Sequence, residues 1–165
     1  MPNLSPFPAE LKKTISSVLG KTVTTPAIIC SKEQIAYNLR YFLNCLRFNA
    51  QQVYFPVKVN HDTAVLNFLK ELGVCFEISS AGELDMLKNI HADPEKIIFS
   101  NPVKIPGHIR QAFDYGIRTF AFDSDGEVQK LCQNAPESDV YLRIDVPNKG
   151  AEWKLERKFG VKPQE

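Results

Sequence analysis

One residue of this sequence carries clear chemical meaning on its own. Lys58 lies in the run Tyr54-Phe-Pro-Val-Lys-Val-Asn60, with Val57 and Val59 on either side. Burying an ammonium between apolar neighbours is costly, so desolvation favours the neutral amine. That is the form that attacks a carbonyl and makes a Schiff base. The competing reading is a snorkelling lysine, its stem packed and its head in water, and spacing alone favours that one. The four cysteines, Cys30, Cys45, Cys75 and Cys132, lie far apart with no Cys-x-x-Cys or Cys/His ligand spacing. They read as free thiols of a reducing cytoplasm, and no metal site is expected. His61, next to Asn60, reads as a loop residue.

Something must position Lys58, and the chain around it alternates between two kinds of segment. Ala9 to Leu19 has the periodicity of a helix, ending at Gly20. Pro26 to Cys30 reads as a strand, and Ser31 as the N-cap of a helix from Lys32 to about Phe48. Strands follow at Val53–Val57, Val74–Ile78, Lys96–Phe99, Thr119–Phe122 and Val140–Val146. Helices fall between them at Thr63–Leu72, from Ser80 to Ile90, at Ile105–Tyr115, and at Glu127–Gln133 behind a cap at Asp123 or Ser124.

Strict alternation of strand and helix implies a parallel sheet. A doubly wound sheet and a (β/α)₈ barrel of the TIM type both satisfy it. Short strands, and the lack of a glycine-rich loop after the first, favour the barrel, which typically needs about 250 residues. With 165 residues and about six strand–helix units, the chain is expected to stop partway round, with a polar tail from Pro147 to Glu165. The expected division is a lead-in helix over residues 1–24 and a partial barrel over 25–165. In such folds functional groups gather at the C-terminal ends of the strands, which is where Lys58 falls.

Composition narrows the class further. Twenty Lys+Arg against nineteen Asp+Glu leave a formal charge of +1, which offers no electrostatic footprint for nucleic acid or an anionic membrane. A hydrophobic share of 44% and a charged share of 24% are those of an ordinary globular protein. No apolar run nears the roughly 20 residues of a membrane span, and Met1 to Lys13 lacks the order of a signal peptide.

Several segments, in order, resemble the pyridoxal-phosphate-dependent decarboxylases that act on ornithine, lysine, diaminopimelate and arginine, whose barrel is of the alanine-racemase type. Tyr54-Phe-Pro-Val-Lys-Val-Asn60 is similar to their aromatic-x-x-Val-Lys-x-Asn segment. Gly73-Val-Cys-Phe-Glu-Ile-Ser-Ser-Ala-Gly-Glu-Leu84 is similar to the following strand-to-helix turn. Ile97 to Lys104, with its Asn-Pro-x-Lys end, and Thr119 to Ser124 continue the series. Leu142-Arg-Ile144 and Lys158-Phe-Gly160 complete it.

The resemblance implies pyridoxal 5′-phosphate as cofactor, with Lys58 as its Schiff-base lysine. Glu77 falls where the ornithine enzymes have an aspartate beside the cofactor, one methylene shorter. Glu83 matches a turn glutamate that orders the lysine and arginine, although a plain first-turn helix acid is nearly as good a reading. Arg143 matches an arginine close to the cofactor, for which Glu77 or Glu83 would serve as carboxylate partner. Asn101 and Lys104 read as supports of the barrel rim, and Lys158 as a residue of a homodimer interface. The resemblance places the ring-stacking histidine, the glycine-rich phosphate turn, the pyridine-nitrogen glutamate and the partner's cysteine segment after residue 165. The implied activity is decarboxylation of an amino acid to a primary amine in the cytoplasm. The rivals are a non-catalytic homologue that binds a partner, and a racemase-like barrel.

Overall fold

The computed structural model describes residues 9–19, 26–46, 53–146 and 159–162. The chain divides into two compact units, Met1–Gln51 and Gln52–Glu165. In the first, helices α1 (Ala9–Leu19) and α2 (Lys32–Cys45) take up the two helical segments. Ser31 caps α2 as expected, its hydroxyl accepting from the Gln34 amide at 3.2 Å. The strand expected at Pro26–Cys30 is not formed; these residues follow a bend without regular structure. A strand exists only where a neighbour completes its ladder, and among the described residues this unit has none.

The second unit carries a five-stranded parallel sheet in the order β1-β2-β3-β4-β5. The strands are β1 (Tyr54–Pro56), β2 (Cys75–Ile78), β3 (Ile97–Phe99), β4 (Thr119–Phe122) and β5 (Asp139–Leu142). Between them run α3 (Thr63–Glu71), α4 (Ala81–Asn89), α5 (Pro106–Tyr115) and α6 (Asp125–Asn134). This is the architecture of a partial TIM-type barrel, with five paired strands rather than about six.

Each helix is started and stopped by local chemistry. Asp62, Ser80 and Ser124 accept from backbone amides at the openings of α3, α4 and α6. Helix α3 stops at Gly73, whose φ of +79° is a left-handed value that glycine adopts freely. The Gly73 amide returns to the Lys70 carbonyl and the Val74 amide to that of Leu69, the paired bonds of a Schellman turn. The turn delivers the chain directly into β2.

The pleat then sorts side chains onto two faces. Phe76, Ile78, Ile97, Phe99 and Phe120 are all buried, and the Phe99 and Phe120 rings meet with centroids 6.1 Å apart. Val65, Leu66 and Leu69 of α3, Leu84 and Leu87 of α4, Ile109 and Ala112 of α5, and Leu131 of α6 complete the buried core. The alternate positions, in register across the strands, include Tyr54, Glu77, Ile98, Thr119 and Tyr141. That second face holds the polar residues.

Beyond β5 the sheet gains an isolated bridge between Ile144 and Val161. The Val161 amide donates to the Arg143 carbonyl, and the Asp145 amide to that of Val161, both at 2.9 Å. Gly160 makes this docking possible: its φ is +137°, and an added Cβ would lie 2.7 Å from the Asp145 nitrogen. Gly160→Ala is therefore expected to cost more than Gly73→Ala, whose new methyl would meet nothing within 4 Å. The latter should lose only the left-handed penalty of about 1–2 kcal/mol. Denaturant midpoints of the two variants check this ranking.

Candidate active site

Strand β1 ends at Pro56 and the chain passes into a single 3₁₀ turn, Val57–Val59. Val57 is fully buried and anchors the turn, whereas the Lys58 side chain is 59% exposed. Of the two readings of Lys58, the structure has the exposed one that spacing favours, not a lysine desolvated between two valines. A 3₁₀ turn rotates each residue by a third of a circle, so Val57 takes the inward position alone. Val59 projects as well, at 68% exposure. The amine of Lys58 faces water with one carboxylate near it: Nζ is 3.7 Å from Oε1 of Glu77.

Glu77 lies on the polar face of β2, in register with Pro56 and Ile98. Its Oε1 also accepts a 2.6 Å hydrogen bond from the hydroxyl of Ser100, one residue past β3. On the same face of β5 is Tyr141, whose phenol is pushed up to about 12 by burial and, secondarily, by the negative charge of Glu77. It stays neutral and keeps its proton throughout the physiological range. Lys58, Glu77, Ser100 and Tyr141 thus come from the ends of four different elements. Ser100 and Tyr141 were not among the residues singled out from sequence. Their signal is alternation: both fall, by the two-residue pleat, on the face that carries Glu77.

The remaining predicted residues are used differently. Arg143 follows β5, half-buried, and its amide continues the ladder to the Phe122 carbonyl. Its guanidinium forms no ion pair with Glu77 or Glu83 among the described residues, which corrects the expected pairing. Half-burial leaves the guanidinium hydrated, so it requires no carboxylate. Glu83 turns back on its own helix start. Its Oε2 accepts from the Ser79 amide at 2.9 Å while the Ser80 hydroxyl accepts from the Glu83 amide at 3.3 Å, a near relative of the capping box. Asn101 donates from Nδ2 to the Val103 carbonyl at 2.7 Å and shapes the loop after β3. Lys158 lies outside the described residues.

Lys104 is the centre of a buried cluster. Its side chain is wholly enclosed, 3.1 Å from Oε2 of Glu127, and donates to the carbonyls of Pro102 at 3.0 Å and Ala121 at 2.5 Å. Lys130 pairs with the other oxygen of Glu127 and donates to the Lys104 carbonyl at 2.6 Å. Burial pulls Lys104 below its ordinary value, against the pull of Glu127. Burial alone would raise Glu127, yet the hydrogen bonds from Lys130 and Lys104 outweigh it and hold the carboxyl below its ordinary 4.5. In the sequence Glu127 reads only as the first residue of an expected helix, with nothing to mark it as the partner of a lysine 23 residues earlier.

The described residues thus present a parallel five-stranded sheet with an exposed lysine amine and a carboxylate together at its strand ends. Residues 32–165 match the family described as "Pyridoxal-dependent decarboxylase, pyridoxal binding domain", and the chain belongs to that family. Pyridoxal phosphate is the family's cofactor, and relatives of this chain include named decarboxylases, which are lyases. The chain is 33% identical over 147 residues to the lysine/ornithine decarboxylase of Selenomonas ruminantium, covering 89% of this chain and 37% of that protein. It is 31% identical over 108 residues to antizyme inhibitor 2 of Xenopus laevis, covering 66% of this chain and 24% of that protein. The solved structure of SrLDC in complex with PLP and cadaverine aligns with a TM-score of 0.76 at 29% identity, covering 94% of this chain and 37% of that one. The chain therefore spans well under half the length of these relatives. Among the described residues, no helix is long and apolar enough to cross a membrane, and no cluster of metal ligands occurs.

Because Glu127 is held low in the folded state, it adds stability above pH 4.5, and this is lost as pH falls through 4.5 toward the folded-state value. Glu127→Gln should flatten that acid dependence. At neutral pH it should cost about 3–5 kcal/mol, because Lys104 is left enclosed without its counter-charge. Urea melts of both proteins at neutral and acid pH measure the two effects separately.

Proposed function

We propose that this chain forms the cofactor-lysine part of a decarboxylase acting on a basic amino acid such as lysine or ornithine, with Lys58 as the lysine that holds pyridoxal phosphate. The observation that carries the proposal is the reachable Lys58 amine set 3.7 Å from Glu77 at the end of the first strand of the sheet. The donor set fits the aldehyde end of the cofactor: a primary amine open to solvent, with a carboxylate held nearby. Bound pyridoxal phosphate supplies the electron sink that loss of a carboxylate requires.

The chain's own groups do the positioning. Glu77 places a carboxylate 3.7 Å from the Lys58 amine. Arg143, whose guanidinium has no ion-pair partner among the described residues, supplies a cation for an anionic group of the cofactor. Tyr141 remains a neutral hydrogen-bond donor on the same face. Glu83, Asn101 and Lys104 act at one remove, by fixing the turns after β2 and β3. The lysine/ornithine decarboxylase relative and the cadaverine bound to SrLDC support a basic substrate. A homodimer with Lys158 at its interface, in the cytoplasm, is part of the same proposal and rests on family resemblance.

The likeness to antizyme inhibitor 2 favours a second reading, a homologue that binds a protein partner without turnover. Retention of both Lys58 and its carboxylate neighbour weighs against it. One experiment separates the two. Pyridoxal phosphate followed by borohydride should fix a pyridoxyl group on Lys58, located by mass mapping. Label confined to surface lysines such as Lys12, with Lys58 unmodified, would sink the cofactor assignment. In an active preparation, Glu77→Gln should lower kcat about tenfold or more with little change in KM, since the charge acts at the reacting centre.

A further inference from the structure

We propose that Ser100 is a positioning residue, whose hydroxyl tethers the Glu77 carboxylate short of Lys58 and so leaves the lysine amine free to react. The inference rests on the reading of Lys58 as the reactive lysine, and it concerns what governs that reactivity. Both groups address the same atom. Ser100 Oγ lies 2.6 Å from Oε1 of Glu77, and Lys58 Nζ lies 3.7 Å from it. The first distance is that of a strong charge-assisted hydrogen bond. The second is about 1 Å too long for one between an ammonium and a carboxylate.

The hydroxyl has one other acceptor in reach, the Ile78 carbonyl at 3.5 Å, so its proton is committed to Glu77. The tether is also stiff. The Ser100 amide donates to the Ile78 carbonyl at 2.9 Å, immediately after the paired residues Ile78 and Phe99. The hydroxyl is therefore fixed relative to the strand that carries Glu77. Glu77 Cα and the Lys58 turn are held by the neighbouring pairing of Pro56 with Glu77. With both backbones fixed, the freedom left lies in the two side chains, and Ser100 restricts that of the glutamate, so that closing the pair falls to the solvent-exposed lysine stem alone. Without the hydroxyl, Coulomb attraction would draw the carboxylate onto the exposed ammonium. A closed ion pair would then hold the amine protonated and blocked.

The test uses the cofactor-free protein and a small amine acylating reagent, acetic anhydride at trace concentration. Lys58 acetylation is read by mass mapping relative to the exposed Lys96. Ser100→Ala should slow Lys58 about threefold against wild type, the scale of closing an exposed ion pair by about 1 Å. Ser100→Thr, which keeps a hydroxyl, should restore the wild-type rate. In a Glu77→Gln background, Ser100→Ala should change nothing further, because the two side chains act as one unit. If Ser100→Ala loses its folded circular dichroism signal, Ser100→Cys, with its weaker donor, carries the same expectation. An unchanged or faster Lys58 in a folded Ser100→Ala or Ser100→Cys protein overturns the tether. The cofactor assignment is decided separately by pyridoxyl labelling of wild type, so either idea can fail alone.

Discussion

Everything at this site depends on one geometric constraint: consecutive parallel strands must be joined by crossovers, and here those crossovers are helices. The helices shield one face of each strand, and the pleat sends alternate side chains to the other. On β2 the buried Phe76 and Ile78 leave Glu77 between them no option but the opposite face. The same count brings Ser100 and Tyr141 to that face from β3 and β5. A cluster drawn from separate strand ends is thus a consequence of apolar alternation, with no long-range attraction among its members needed to assemble it.

The rim is held from the other direction, by charge. Lys104 follows β3 and Glu127 opens α6, so their contact joins the loop after one strand to the helix after the next. The lysine spends its donors on carbonyls of its own loop and of β4, and Glu127 receives the Lys104 amide as well as two ammonium groups. A buried pair of this kind contributes little net stability against an apolar alternative, but it is very costly to break from one side. Its value lies in register: the turn after Ser100 has one arrangement that satisfies both charges.

Much of this was legible in the residues. Helix starts at Ser31 and Ser80, and the stop at Gly73, are written in side chains whose local hydrogen bonds do not need the rest of the fold. Helix α1 and strand β4 fall where periodicity puts them. Legibility ended where outcome depends on a neighbour. Pro26–Cys30 has strand composition, yet no partner strand accompanies it among the described residues. Arg143 and Glu83 looked like partners because both are charged and near the site. Glu83 was instead claimed by the amide of Ser79, four residues away and already fixed in space. Local competition of that kind is invisible in a list of charged positions.

The two lysines of the site region show why burial was a poor guide to chemistry. Lys104 is the one that desolvation perturbs, enclosed beside Glu127 and lowered from its ordinary value. By the usual argument it would be the nucleophile. Yet every donor direction it has is occupied, and no carbonyl carbon can approach a side chain with no exposed surface. Lys58 is exposed and, among the described residues, has a single carboxylate near it, held at arm's length. Schiff-base formation needs a nitrogen lone pair and room for an incoming aldehyde, and only Lys58 offers the room. What remains is to keep its neighbour from capturing it. On this face the hydroxyl of Ser100, already bonded to Glu77, is the group placed to do so.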